Sequence, residues 1–382
     1  MRRHAWLAVA APIIASTLIA AAPSGALPAA AAPTVTAVGH GPRLAHTFEG
    51  GFFGVAATSA SDAWAVGDDA NNSLIVHWNG SRWRPVPAAN PLPGQDDLDG
   101  VSARTARDVW AVGARGTNRA LVLHWNGITW KSVPNPTIKN GGSLLVSVAA
   151  ISAANAWAVG GYGGFPSKAL IEHWNGKAWQ QIASPYKAPA NLSGVAASSA
   201  SNVWAVGADN SGGVLILHWN GKAWRRVPAP SPVDSELLGV TVTSATNAWA
   251  VGDYSLGTDK ENTLIEHWNG RSWTRVASPT PPEGAVLLGV AAKSASLAFA
   301  VGQTTPLTLP PQNKVAQTFL VRWDGRAWRR VTTPAPIDGQ LAAVAIAPGS
   351  AKKAWAVGSN DSLGLNPNGW TLIEGWNGRA WG

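Results

Sequence analysis

His77-Trp78-Asn79-Gly80-Ser81-Arg82-Trp83 is the unit this chain repeats. It returns at residues 124–130, 173–179, 218–224 and 267–273. Two looser copies run Arg322-Trp323-Asp324-Gly325-Arg326-Ala327-Trp328 and Gly375-Trp376-Asn377-Gly378-Arg379-Ala380-Trp381. Asn-Gly between strand-like flanks signals a hairpin, because a tight primed turn needs positive φ and both residues tolerate it. Seven such hairpins point to an array of one small β unit.

Reading outward from each hairpin exposes the rest of that unit. An apolar run precedes it, as in Leu74-Ile75-Val76 and Leu264-Ile265-Glu266. Further upstream lies Trp64-Ala65-Val66-Gly67, with counterparts beginning at Trp110, Trp157, Trp204, Trp249, Phe299 and Trp355. A valine such as Val55 or Val101 stands nine residues before most of these, in a Gly/Ala/Val segment. Each unit therefore reads as four short strands, the fourth starting at the second hairpin tryptophan. The Trp-Ala-Val-Gly copies recur at 46, 47, 47, 45, 50 and 56 residues.

Four-stranded units at that period predict an all-β, seven-bladed β-propeller of four-stranded blades. One meander cannot bury both its faces, whereas blades stacked in a closed ring can. Two-sided burial explains why the strands read as apolar runs, and crowding near the axis explains the Gly and Ala of the innermost strand. Of 22 tryptophans, only Trp6 and Trp370 fall outside the repeat. Burying each of the others is worth about 2–3 kcal/mol, a sufficient reason for the residue. The chain stops at Gly382, one residue into the last fourth strand. The β-prone stretch Pro33-Thr34-Val35-Thr36-Ala37-Val38 is expected to complete that blade and close the ring.

Over residues 50–382 the motifs resemble known propeller repeats. Ala158-Val159-Gly160-Gly161-Tyr162, followed by Glu172-His173-Trp174-Asn175-Gly176-Lys177-Ala178-Trp179, resembles a Kelch repeat, although most copies here keep one glycine of the pair. Val109-Trp110-Ala111-Val112-Gly113 with Trp125-Asn126-Gly127-Ile128-Thr129-Trp130 resembles the tectonin repeats of lectin propellers, which are shorter. Trp323-Asp324-Gly325-Arg326-Ala327-Trp328 is similar to the Asp-box turn of sialidase-type propellers. The resemblance implies a secreted bacterial propeller and specifies no activity.

The remaining bounds come from composition. Met1-Arg2-Arg3-His4 followed by an apolar run to about Ala22 and a crowd of small residues has the layout of a secretory signal peptide. Residues 1–32 are read as that leader and 33–382 as one propeller domain, secreted and extracellular, with no stable membrane insertion. Removing Arg2 and Arg3 with the leader lowers the formal charge from +8 to +6. That value permits attraction to anionic surfaces without calling for a nucleic acid. With no cysteine there is no disulfide framework, thiolate metal site or tyrosine–cysteine copper cofactor. A monomer without cofactor or metal is expected.

A working site should break the sevenfold pattern. In an up-and-down meander, the first-to-second and third-to-fourth turns share one end and are short and regular here. The opposite end carries loops of varied length, the longest at 303–317 and 359–370. Irregular loops on a rigid scaffold are where binding sits. The aromatics outside the repeat grid fall there: Tyr162, Phe165, Tyr186, Tyr254 and Trp370, the candidate ligand-binding residues. The five hairpin histidines, one per blade, are too far apart to share an ion and read as structural. Asp96-Asp97-Leu98-Asp99 reads as a loop without the spacing of a calcium site. Glu172, Glu266 and Glu374 replace an aliphatic residue and read as hydrogen-bond partners between blades.

The function expected is a non-catalytic binding propeller for a glycan, an anionic cell-wall polymer or another envelope polymer, or a protein partner. The alternatives are a polysaccharide-degrading hydrolase or lyase, which needs carboxylates or a tyrosine–arginine set converging at the channel, and a passive scaffold.

Overall fold

The structure, a computed structural model, describes residues 48–69, 72–88, 96–116, 119–138, 141–257, 260–305, 316–333, 339–360 and 369–382. They form seven antiparallel meanders arranged as a β-propeller. Blade 1 consists of Gly51–Ser59, Asp62–Asp68, Ser73–Trp78 and Trp83–Pro85, from the axis outward. The innermost strands of blades 2 to 7 are Asp96–Thr105, Ser143–Ser152, Ala190–Ser199, Ser235–Ser244, Ala285–Ser294 and Gly339–Ile346. Neighbouring innermost strands pack on one another around the ring, and the last packs on the first. Glycine permits that approach. A Cβ on Gly100 would lie 2.7 Å from the carbonyl oxygen of Val146 in the next blade, and one on Gly289 would lie 2.8 Å from that of Ala342.

The core is seven seams, each shared by two adjacent blades. Tryptophan organises every one. Trp64 of blade 1 stacks on its own His77 at 4.3 Å and meets Trp125 and Trp130 of blade 2 at 5.0 and 5.4 Å, the latter edge to face. Trp110, Trp157, Trp204 and Trp249 repeat this against the next blade. Phe299 does so in blade 6. Trp355 closes the ring by packing on Trp78 and Trp83, both at 6.2 Å.

Backbone bonds tie successive blades in the same way. Ala190, Ser235, Ala285 and Gly339 each donate from the amide that opens a blade to a carbonyl beside the third strand of the blade before, at 3.0–3.1 Å. Gly50 donates to Gly369 at 3.2 Å, so blade 1 is joined to blade 7 by the same device. Thr371 donates back to the carbonyl of Phe48 at 2.9 Å. Blade 7 has three full strands (Gly339–Ile346, Ala354–Asn360 and Trp370–Trp376), and the bridge Trp376–Trp381 begins a fourth. The expected closing segment 33–38 lies outside the described residues.

Two expectations are corrected. The hairpin is not a two-residue primed turn: Trp78 pairs with Trp83 and leaves a four-residue loop in which Gly80, but not Asn79, has positive φ. Asn79 earns its place through its side chain, whose Oδ1 accepts from the amides of Ser81 and Arg82 at 3.1 Å each. Asp324 does the same for Arg326 and Ala327. Secondly, residues 96–99 are not a loop but the start of the innermost strand of blade 2.

Candidate functional site

The two ends of the ring differ in how their polar groups are used. At the hairpin end each third-strand tryptophan donates its indole N–H to the alanine carbonyl of the adjacent turn. Trp78 to Ala60 and Trp219 to Ala200 are examples, at 3.2 and 3.1 Å, and all seven blades share the bond. His77 bonds to Asp62 at 2.6 Å and His124 to Asp108 at 2.8 Å. In blades 3 to 5 asparagine takes that place, as in His218 to Asn202 at 2.8 Å. Burial pushes His173, His218 and His267 down from the ordinary imidazole value. Burial opposes ionisation of Asp62 too, yet its bonds from His77 and Thr58 keep it below the usual carboxylate range. These histidines brace blades, and no cluster suited to a metal ion occurs among the described residues.

All five predicted aromatics lie at the other end, Tyr162 and Phe165 on blade 3 and the rest on other blades or between blades. Tyr162 ends the second strand of blade 3, opposite Lys168, and packs half-buried on the seam between blades 2 and 3. Phe165, in the loop that follows, is 75% exposed. Tyr186 caps the seam between blades 3 and 4. Its hydroxyl donates to Asp209 at 3.2 Å, and the Arg226 guanidinium lies 4.9 Å from its ring centre and 3.7 Å from the same carboxylate. Tyr254 packs on the seam between blades 4 and 5, with the Arg275 guanidinium 4.2 Å from its ring centre. Trp370 opens the third strand of blade 7, paired with Asn360 and bridged to Glu49. No ring contact joins any two of the five among the described residues.

Strand register reveals a feature that linear spacing hides. The residue after the Trp-Ala-Val-Gly glycine lies opposite a fixed position on the innermost strand, and only blade 5 places carboxylates in both slots, Asp253 facing Glu236. Asp253 is 7% exposed and its Oδ1 has no hydrogen-bond partner in normal geometry among the described residues, although Glu261 lies beside the carboxyl. Burial first, then the neighbouring Glu236 and Glu261, push its carboxyl far up from the ordinary carboxylate value. A second acidic group spans blades 1 and 2. Burial, then Asp68 and Asp96, raise Asp97 to about 6. Asp99 occupies the bulge between Leu98 and Gly100, and burial, followed by Asp97 and Asp68, holds it well above its ordinary value. Asp96 is bound by Arg115 at 3.2 Å. On their irregular-end halves the innermost strands carry no lysine or arginine; Arg104 and Lys293 lie towards the hairpin end.

The seam glutamates make less of the hydrogen bonding between blades than expected. Glu172, Glu266 and Glu374 are buried, and none of their oxygens has a hydrogen-bond partner in normal geometry among the described residues. Burial raises them to about 7, 8 and 7; Asn135 beside Glu172 and Arg275 beside Glu266 oppose the rise. They are buried acids held inside apolar seams, with Asn135 beside Glu172 and Arg275 beside Glu266.

Among known proteins, no family model and no curated sequence matches the chain. Solved structures do. YCF48 bound to D1 peptide is 14% identical, with a TM-score of 0.56 over 85% of this chain and 95% of that one. YCF48 from Cyanidioschyzon merolae is 15% identical, with a TM-score of 0.55 over the same shares. An ulvan lyase of polysaccharide lyase family PL25, bound to -[GlcA(1-4)Rha3S]-, is 9% identical, with a TM-score of 0.56 over 87% and 96%. At such identities the likeness establishes the seven-bladed β-propeller fold and nothing finer.

Proposed function

We propose that this chain is a secreted, non-catalytic binding propeller of Kelch-like repeats that holds a glycan, an envelope polymer or a protein partner on its irregular face. One observation carries the reading. Of the four large apolar side chains most exposed among the described residues, three lie on that face: Phe165, Val233 and Leu256, at 75, 64 and 65%. Exposed apolar side chains gathered on one face mark interaction surfaces more often than scattered ones do. The hairpin end spends its aromatic and amide groups on its own turns, which leaves the loops to vary. The leader-like residues 1–32 support export. Similar propellers have been solved with a peptide and with a saccharide, so both partner classes suit the architecture.

A second reading, polysaccharide cleavage, draws on Asp253 and Glu236, a buried acid whose carboxyl is pushed up beside a second carboxyl. The test is to expose the purified protein to arrays of glycans, wall polymers and peptides. The same arrays are repeated after Phe165→Ser with Leu256→Ser, and after Trp370→Ala, Tyr254→Ala and Tyr162→Ala. Binding that is lost while the melting curve is kept supports the proposal. Release of new chain ends from any polysaccharide, abolished by Asp253→Asn, would replace it with the enzyme reading.

A further inference from the structure

The hairpin end presents a surface that the binding reading leaves unused. Each hairpin closes at the same register, tryptophan opposite tryptophan, so the seven loops stand at one level around the ring. Six of them carry an exposed cation: Arg82, Lys177, Lys222, Arg271, Arg326 and Arg379. Blade 2 supplies Arg107 instead, from the turn beside its hairpin; a Cβ on Gly127 would lie 2.8 Å from the Arg107 Cγ. Every blade thus contributes, and none of these seven side chains is ion-paired among the described residues. Three carboxylates share this end, and each is already held: Asp62 by His77 at 2.6 Å, Asp108 by Arg104 at 2.7 Å and Asp324 by Arg329 at 2.9 Å. The Oδ1 atoms of the loop asparagines and the turn alanine carbonyls are likewise taken, by loop amides and indole N–H groups. Positive charge is what this end turns outward.

A second, independent feature sits inside this ring of cations. Two residues after the asparagine or aspartate, five loops place lysine or arginine, whereas blade 2 places Ile128. Ile128 is 84% exposed, the most exposed large apolar side chain among the described residues. Its amide is fixed by Asn126 Oδ1 at 3.0 Å, so the loop is braced while the side chain projects into solvent. The third-strand tryptophans of blades 1 to 6 are half-buried at the same end, and part of each ring is exposed.

We infer that the hairpin end is a docking face for an anionic lipid bilayer. The cations lie against the headgroups, Ile128 enters the boundary beneath them, and the exposed tryptophan edges meet the interface, where indoles are favoured. Basic residues near anionic lipid and an apolar side chain in the headgroup boundary reinforce one another, neither being sufficient alone. A soluble polyanion would reward the cations but not an exposed isoleucine among them. The chain lies on the surface rather than spanning it: no helix among the described residues is long and apolar enough to cross a membrane. Docked in this way, the molecule turns its irregular face away from the lipid and leaves it open, so the inference stands independently of the binding reading above.

The test is co-sedimentation of the full chain with vesicles of phosphatidylcholine, alone or with a third of phosphatidylglycerol. The neutral vesicles set the baseline for apolar binding by residues 1–32. Binding should require the anionic lipid and weaken with salt, as exposed charges are screened. Lys177→Gln/Lys222→Gln/Arg271→Gln should lower it by about a hundredfold, at about fivefold per cation. Ile128→Ser should lower it about tenfold, and Phe165→Ser/Val233→Ser/Leu256→Ser at the opposite end should leave it unchanged. Melting curves check that each variant folds. Because the chain has no cysteine, Ile128→Cys and Phe165→Cys each accept one environment-sensitive dye, and only the dye at position 128 should shift to the blue on anionic vesicles. Equal binding to both vesicles, or to neither, overturns the inference and leaves the irregular-face reading intact. Binding that Ile128→Ser does not weaken and soluble polyphosphate fully displaces also overturns it, in favour of a surface for free polyanions. A dye shift at position 165 instead of 128 overturns it by placing the lipid on the irregular face.

Discussion

The hairpin end and the loop end of this propeller are built from the same seven blades but obey different rules. At the hairpin end one solution recurs: an amide or carboxylate oxygen accepts two loop N–H groups, an indole N–H reaches the turn carbonyl, and a tryptophan enters the next seam. At the loop end a backbone bond between blades recurs, but among the described residues the loop side chains differ from blade to blade, and Phe165 and Leu256 stand exposed. Selection for the ring acts on the first end seven times over. The second is free to acquire a partner. Substitutions at the two ends should therefore separate stability from binding.

The largest stability effect belongs to the seams that both ends share. Trp204→Ala should cost about 3–5 kcal/mol, as expected of a large buried aromatic, read from denaturant unfolding. Trp204→Phe should cost about 1.5 kcal/mol or less, because Phe299 already fills the equivalent place against Trp376 and Trp381. Equal losses from the two changes would break the seam account.

Next come the seam glutamates, which give stability a pH dependence that the hairpin end does not predict. Their folded-state carboxyls sit at about 7 to 8, above the ordinary 4.5, so the folded chain holds protons that the unfolded chain releases. Their contribution therefore favours folding below about pH 4.5 and is lost as pH rises through about 7 to 8. Glu266→Leu, matching Leu217 in blade 4, should stabilise the chain by about 1–4 kcal/mol at pH 8 and by much less at pH 5. A gain independent of pH would contradict the buried-acid description.

At the hairpins, Asn220→Ala removes the acceptor for the amides of Lys222 and Ala223 and should cost about 1 kcal/mol. Asn220→Asp should be tolerated, since Asp324 performs the same task in blade 6. The smallest stability effect is expected at the loop end. Phe165→Ser should lie within about 0.5 kcal/mol of wild type, while its effect on partner binding is large.

The fold was legible because it repeats. Seven hairpin sequences fixed the blade number, and the tryptophan grid indicated the seams before any contact was known. What repetition could not convey is register. Asp253 and Glu236 lie seventeen positions apart in the chain and meet because their strands pair. The strand containing Asp96–Asp99 looked like a loop because its acids suppress β-propensity, which the neighbouring blades override. The three tyrosines lie off the grid in the sequence, but their packing on seams, and that of Tyr186 and Tyr254 under arginines, depends on strands of another blade or of their own. The seam glutamates offered no local signal beyond a broken aliphatic pattern.

Hydrogen–deuterium exchange of the protein, with and without its bound peptide or glycan, tests the division between the two ends most directly. Protection is predicted at residues 163–167, 231–235 and 255–257, with the hairpin loops 79–82, 220–223 and 269–272 unchanged. Protection confined to those hairpin loops, with the rim of blades 3 to 5 unaffected, would contradict it.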